Sequence, residues 1–319
     1  MDNLKGIELH RYLPKGKHSV DAVLRNRSEA ELLALFHEVA EALGVPVAID
    51  AHALKEGGLR EIWEWAGGND RQITIILTVV AILIALVPAI YESEADRLDE
   101  RLTNLSIEEK ELNIELLRKQ LREIEPSTEE SVKHSAVEEL KSHPRVVVRR
   151  SNFYRHLMHA ESIEAIGISG LNRSLDQCTP EQIIERHQFH RFVLTSHRLR
   201  PEVDEDATIE IISPVLRDGR YKWKGIYQGK PIGFSMADSS FRGQVVREEV
   251  SFQHGSFLNC VLHINRELDE VGEVVITGYT VAIVIKKYDD RQAIETVQGK
   301  EYRQAQAFRD GQDDLFENE

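Results

Sequence analysis

The sequence predicts an α+β membrane protein. A small N-terminal α/β unit leads into one transmembrane helix, which continues into a long helical collar. A C-terminal α+β domain follows, with a small, mainly antiparallel sheet or open barrel. Three observations carry this reading. Ile73 to Tyr91 has no ionisable group except the Tyr91 phenol; about nineteen helical residues span roughly 28 Å, close to a bilayer's ~30 Å hydrocarbon core. Leucine and isoleucine then recur at helical spacing up to Pro126. From Ala207 the pattern alternates with period two between turn signals, as half-buried strands do. The divisions expected are residues 1–56, an interfacial stretch 57–71, the span 72–91, an oligomerising helix 92–125, a connector 126–206, a β-rich domain 207–290 and a mobile acidic tail 291–319.

In the first unit, Ile7 to Leu13 alternates like a strand. Ser28-Glu-Ala-Glu31 reads as a capping box opening a helix whose apolar face runs from Leu32 to Leu43, and Gly44 ends it. Val45 to Asp50 reads as a short edge strand. This unit looks incomplete alone and is expected to be finished by neighbouring subunits. Leu59, Ile62, Trp63 and Ala66 share one helical face, and Trp63, Trp65 and Tyr91 suit interfacial anchors.

Within the span, Thr74, Thr78, Ala81, Ala85 and Ala89 form a stripe of small side chains. Such stripes let helices pack closely in lipid, and this one also suits a narrow pore. After it, Leu98, Leu102, Leu105, Leu112 and Leu116 fit one heptad seam, and Ile107, Ile114, Leu117, Leu121 and Ile124 fit another. Two overlapping seams make a wide apolar face, which predicts a homo-oligomer of three to five subunits. Beyond Pro126, Val146–His159 reads as a helix, Ile163–Ile168 as a strand, Thr179-Pro-Glu-Gln182 as a helix start and Phe192–Leu194 as a further strand. Five strands follow (208–213, 221–227, 231–236, 258–264 and 274–285), with one helix from Asp238 to Glu249 between the third and fourth.

The chain has 319 residues and a net charge of -14. That argues against general affinity for nucleic acid or an anionic lipid surface and leaves any anion-binding surface local. Cys178 and Cys260 lie far apart without a CxxC spacing, which suits buried thiols in a reducing compartment. The sharpest constellation is Arg220-Tyr-Lys-Trp-Lys-Gly-Ile-Tyr-Gln-Gly-Lys230. Arg220, Lys222, Lys224 and Lys230 could hold phosphates while Trp223 and Tyr227 stack on bases. Strict alternation opposes this, because it puts cations and rings on opposite faces. The pairs His156/His159 and His187/His190 lack further ligands and sit beside Arg155, Arg186 and Arg191, so no metal site is expected. No GxSxG, phosphate-loop or GxGxxG pattern occurs, and neither an enzyme nor a cofactor is expected.

The order of parts, carried by Thr74–Ala89, Leu98–Ile124 and Arg220–Lys230, resembles single-span membrane effectors of bacterial antiphage defence, such as the oligonucleotide-gated channel of the Hailong system. The resemblance implies a ligand-gated effector in the bacterial inner membrane, single-pass with its C-terminal domain cytoplasmic. Its partners would be the lipid bilayer, its own copies and a nucleotide or single-stranded oligonucleotide. The other expectation is a membrane-anchored scaffold whose β domain recruits a protein.

Overall fold

The structure, a computed structural model, describes residues 3–46, 48–52, 59–66, 69–86, 107–194, 196–217, 219, 221–289 and 293–316. The chain divides into two units: Met1–Arg198 with Leu268–Val274, and Leu199–Glu267 with Val275–Glu319.

The first unit is built on an antiparallel sheet of five strands in the order β2-β3-β1-β4-β5. These are β1 (Gly6–Tyr12), β2 (Ile49–His52), β3 (Leu59–Trp65), β4 (Ala165–Leu171) and β5 (Gln182–Glu185). Helices α1 (Ala22–Ala42), α2 (Asp70–Ala85), α3 (Ile107–Arg122), α4 (Glu129–Leu140) and α5 (Pro144–His159) complete it. Ile7 and Leu9 of β1, Trp63 and Trp65 of β3 and Ile166 and Ile168 of β4 share one apolar core with these helices. The unit is therefore completed from within, β4 pairing along β1 from Gly6–Leu171 to Tyr12–Ala165, and not by neighbouring subunits. The expected interfacial helix is instead strand β3. Leu59, Glu61, Trp63 and Trp65 fall on one side of it, and both tryptophans are core residues rather than membrane anchors.

Helix α2 overturns the membrane class. Among the described residues no helix is long and apolar enough to cross a membrane. The helix has 16 residues, and Ile73, Ile75, Ile76, Val79, Val80 and Leu83 are fully buried, packed against α1, α4, β1, β4 and β5. A helix that is apolar all round needs an apolar environment, and a protein interior serves as well as lipid. Each such side chain gains roughly 1.5–3 kcal/mol from leaving water. Distant residues finish the ends. Arg150 Nη1 donates to Leu83 O at 3.0 Å and Tyr154 OH to Ile84 O at 2.7 Å, satisfying carbonyls that a helix terminus leaves bare. At the other end Leu4 N donates to Thr74 Oγ1 at 3.0 Å, and Lys5 pairs with Asp70 at 2.5 Å.

The small-residue stripe packs inside this unit. Thr74 and Thr78 donate to Asp70 O and Thr74 O on their own helix, and Ala81 and Ala85 lie against the core. Residues 87–106, hence Ala89 and the first part of the expected collar, lie outside the described residues. Three local signals also resolve differently. α1 starts at Ala22, capped by the Asp21 carboxylate. Ser28 sits mid-helix, donating to Arg25 O and accepting from the buried Arg11. Thr179 opens no helix; its hydroxyl accepts from Gly170 N at 2.7 Å, and the chain enters β5, then a 3₁₀ turn (Arg186–Phe192) where Phe192–Leu194 reads as strand.

The second unit is a closed barrel. Its strands are β6 (Arg198–Ser213), β7 (Trp223–Tyr227), β8 (Lys230–Met236), β9 (Phe257–Leu268) and β10 (Val274–Tyr288), with β11 (Ala293–Glu295) appended. The order runs β11-β10-β8-β7-β6-β9, and β9 also pairs with β10, closing five strands into a ring. β8 and β10 are parallel, and helix α6 (Ser239–Val246) joins the third and fourth strands. This five-stranded Greek-key arrangement is the OB-fold topology. Asp238 ties it together, accepting from Phe241 N at 2.9 Å to cap α6 and from Val284 N at 2.9 Å on β10. The stretch expected as a mobile tail contains a helix: α7 (Val297–Phe316) follows β11, and Gly299 lies so close to β10 that an added Cβ would come within 2.3 Å of Ile285 O.

Candidate ligand-binding face of the barrel

The β7–β8 hairpin turns through Gln228 and Gly229, both at positive φ (49° and 74°). A type I′ turn demands that geometry, and its twist matches the flanking strands. The turn fixes the register, Trp223–Phe234 through Tyr227–Lys230, and the register decides which side chains face out.

Trp223 is 1% exposed and stands among Phe234, Phe241 and Phe252 at ring separations of 6.1, 6.4 and 5.4 Å. Tyr227 is buried, and its hydroxyl donates to Asp204 Oδ2 at 2.7 Å. Burial, then this hydrogen bond, push its phenol well above the ordinary range. Neither ring is free to stack on a base. Lys222 and Lys224 point the other way, whereas Lys230 is in register with Tyr227 at the hairpin end; all three are exposed, and among the described residues they have no ion-pair partner. Arg220 lies outside the described residues.

Two features keep this outer surface open. Lys224 is in register with Ser213 on β6 and Gly233 on β8, so no bulky neighbour flanks it. A Cβ on Gly233 would meet nothing nearer than the Lys222 side chain at 3.8 Å. The acidic neighbour is Glu210, in register with Ile226, which confines the cationic lane to the Lys222–Lys224 end. Strand alternation sets Tyr221 on the same face as Trp223, but Tyr221 is 60% exposed, because β7 begins only at Trp223. Tyr221 lies against Gly219, whose φ of 145° suits a residue without a Cβ.

The other chemical candidates resolve into structure. Burial drives the Cys260 thiol up to about 12, which makes it a poor nucleophile. Burial lowers the His156 pKa, and among the described residues no group of three or more His, Cys, Asp or Glu could hold a metal ion. A cleft of about 650 Å³ lies beside Glu205, Asp206, Asn259, Lys286, Arg303 and Gln306, but most of its polar groups pair among themselves or with Glu295.

In the first unit, β1 places Glu8, His10 and Tyr12 on the face opposite the helices. Tyr12 donates to Glu181 at 2.7 Å, Arg60 to Glu8 at 2.8 Å, and His10 Nδ1 stands 3.4 Å from Glu181 Oε1 without a hydrogen bond. Burial, then the neighbouring Arg60 charge, hold the His10 pKa down. Compared with family models, curated proteins and solved structures, the chain matches none.

Proposed function

We propose that this chain is a non-catalytic binding protein whose barrel takes up a single-stranded oligonucleotide or nucleotide on the outer face of β7 and β8. One observation carries the reading: Lys222 and Lys224, just before and within the second strand of a five-stranded Greek-key barrel, project outward without ion-pair partners among the described residues. That face serves oligonucleotides and oligosaccharides in barrels of this topology, an argument by analogy of fold. Lysines contact phosphates, and Tyr221 supplies the stacking ring. With α2 inside the core, the pore has no conduit in the described chain and forms no part of the proposal.

Fluorescence anisotropy with a labelled single-stranded DNA 12-mer tests the reading. Binding weakens as salt rises, and removing one lysine that neutralises a phosphate lowers the log–log salt slope by about 0.7. The double variant Lys222→Gln/Lys224→Gln therefore lowers it by about 1.4. No binding at low salt, or binding indifferent to these changes, sinks the proposal. Ile212 and Leu216, 56% and 66% exposed, favour a second reading in which the barrel recruits a protein. Capture of a partner that Ile212→Glu abolishes, with no oligonucleotide affinity, decides for it.

A further inference from the structure

Buried neighbours fix which side chains of β8 and β10 look outward. Phe234 and Val281 are fully buried, and the Tyr279 ring packs on the barrel core, 6.1 Å from that of Tyr227. Alternation therefore turns Gly233 and Ser235 on β8, and Gly278 and Thr280 on β10, to the outside. The two strands run parallel, Phe234 beside Tyr279 and Ser235 beside Thr280, so Gly233 and Gly278, one residue earlier on each, are neighbours. On β7, Lys224 stands in register with Gly233.

The fold does not require these two glycines. A glycine inside a strand weakens it, having no side chain to pack and more backbone freedom to lose. Gly6 and Gly225 are forced, because a Cβ there would meet Trp63 O at 2.7 Å and Glu210 O at 2.6 Å. At Gly233 and Gly278 it would meet nothing nearer than the Lys222 side chain at 3.8 Å and Asn265 Nδ2 at 3.9 Å, and neither backbone has a positive φ. A strand glycine can mark a place where a ligand or another backbone approaches closely. Lys222 and Lys224, which have no ion-pair partner among the described residues, say independently that what approaches is anionic. The other outward groups are the hydroxyls of Ser235 and Thr280, the latter accepting from Asn265 Nδ2 at 3.1 Å. No ring faces out over this floor: Trp223, Tyr227, Phe234 and Tyr279 all belong to the core side. Tyr221 offers a single stack at its edge.

We infer that the ligand lies on this floor by its sugar–phosphate backbone with its bases turned to solvent, so that the site takes single-stranded nucleic acid irrespective of base. The inference rests on the oligonucleotide reading and deepens it. Phosphates sit by Lys222 and Lys224, the chain passes flush over Gly233 and Gly278, and the Ser235 and Thr280 hydroxyls meet phosphate or sugar oxygens. A face lined with rings rewards every base it stacks; a floor of glycine and hydroxyl rewards only the backbone.

Anisotropy compares the labelled 12-mer with a 12-mer of the same backbone in which every nucleotide is abasic. Both carry the same phosphates, so their salt slopes are equal, and their affinities differ by no more than about tenfold, the loss of one stack on Tyr221. Gly233→Val/Gly278→Val weakens both by more than about tenfold, because the isopropyl groups lift the phosphate chain off the floor. Gly233→Ala/Gly278→Ala, with one methyl at each site, weakens both less. Valine suits strands, so the melting temperature of these variants matches or exceeds that of the wild type. If neither oligonucleotide binds, the oligonucleotide reading falls and takes this inference with it. If the base-bearing 12-mer binds, then an abasic loss beyond tenfold, glycine variants that bind like the wild type, or a lowered melting temperature overturns this inference alone.

Discussion

Replacing Leu83 with alanine tests the placement of α2 more directly than any fractionation. Leu83 is fully buried, and its carbonyl accepts from Arg150, so the helix end cannot drift to fill the space vacated. Deleting such a side chain costs its transfer energy plus the cavity it leaves, about 2.7–5 kcal/mol for buried leucines elsewhere. Leu86, three residues on, is 39% exposed, and its truncation costs roughly 1 kcal/mol or less. The difference between the variants should therefore exceed about 2 kcal/mol. For a unit of this size it lowers the melting temperature by roughly 4–8 °C. Denaturation in detergent-free buffer measures it. Trp63 and Trp65 report the first unit by fluorescence, with Trp223 of the second removed as Trp223→Phe. A lipid-facing helix makes both truncations equally mild in that assay, so equal costs refute the core placement.

Four further perturbations probe other parts of the molecule. Glu61→Gln removes the carboxylate shared by the buried Arg11 and by Arg25, and an orphaned buried charge costs about 3–5 kcal/mol in urea denaturation. Gly299→Ala drives a methyl into Ile285 O, so limited proteolysis should release α7 sooner. Burial lowers the His10 and His156 pKa values in the folded chain, so the unfolded chain takes up those protons first as the medium acidifies. Their contribution to stability is complete above the unfolded value of ~6.5 and is lost as pH falls from there through the folded values. His10→Gln should flatten that decline in unfolding free energy measured between neutral and mildly acid pH. Alkylation read by mass spectrometry at pH 8 should modify the partly exposed Cys178 and spare Cys260 in the native protein.

Where local chemistry sufficed, the reading from sequence survives in detail. Gln228-Gly229 reads as a hairpin turn because positive φ is needed there, Asp238 as an N-cap because its carboxylate meets a free amide, and Val146–His159 as a helix behind Pro144. The alternation of Arg220–Lys230 already weighed against rings and cations gripping one ligand, and the burial of Trp223 and Tyr227 follows that alternation. Elsewhere the deciding partner is remote in sequence. Ser28 looks like a cap until Arg11 is found beside it. The tail after Asp289 reads as polar and free until Thr296 and Gly299 close onto β10. Sequence alone determined that residues from Ile73 onward form a helix intolerant of water on nearly every side. Whether lipid or protein surrounds it depends on Arg150 and Tyr154, 67 and 70 residues beyond the carbonyls they cap. An apolar stretch records only its need for an apolar neighbour, and tertiary structure alone supplies which neighbour that is.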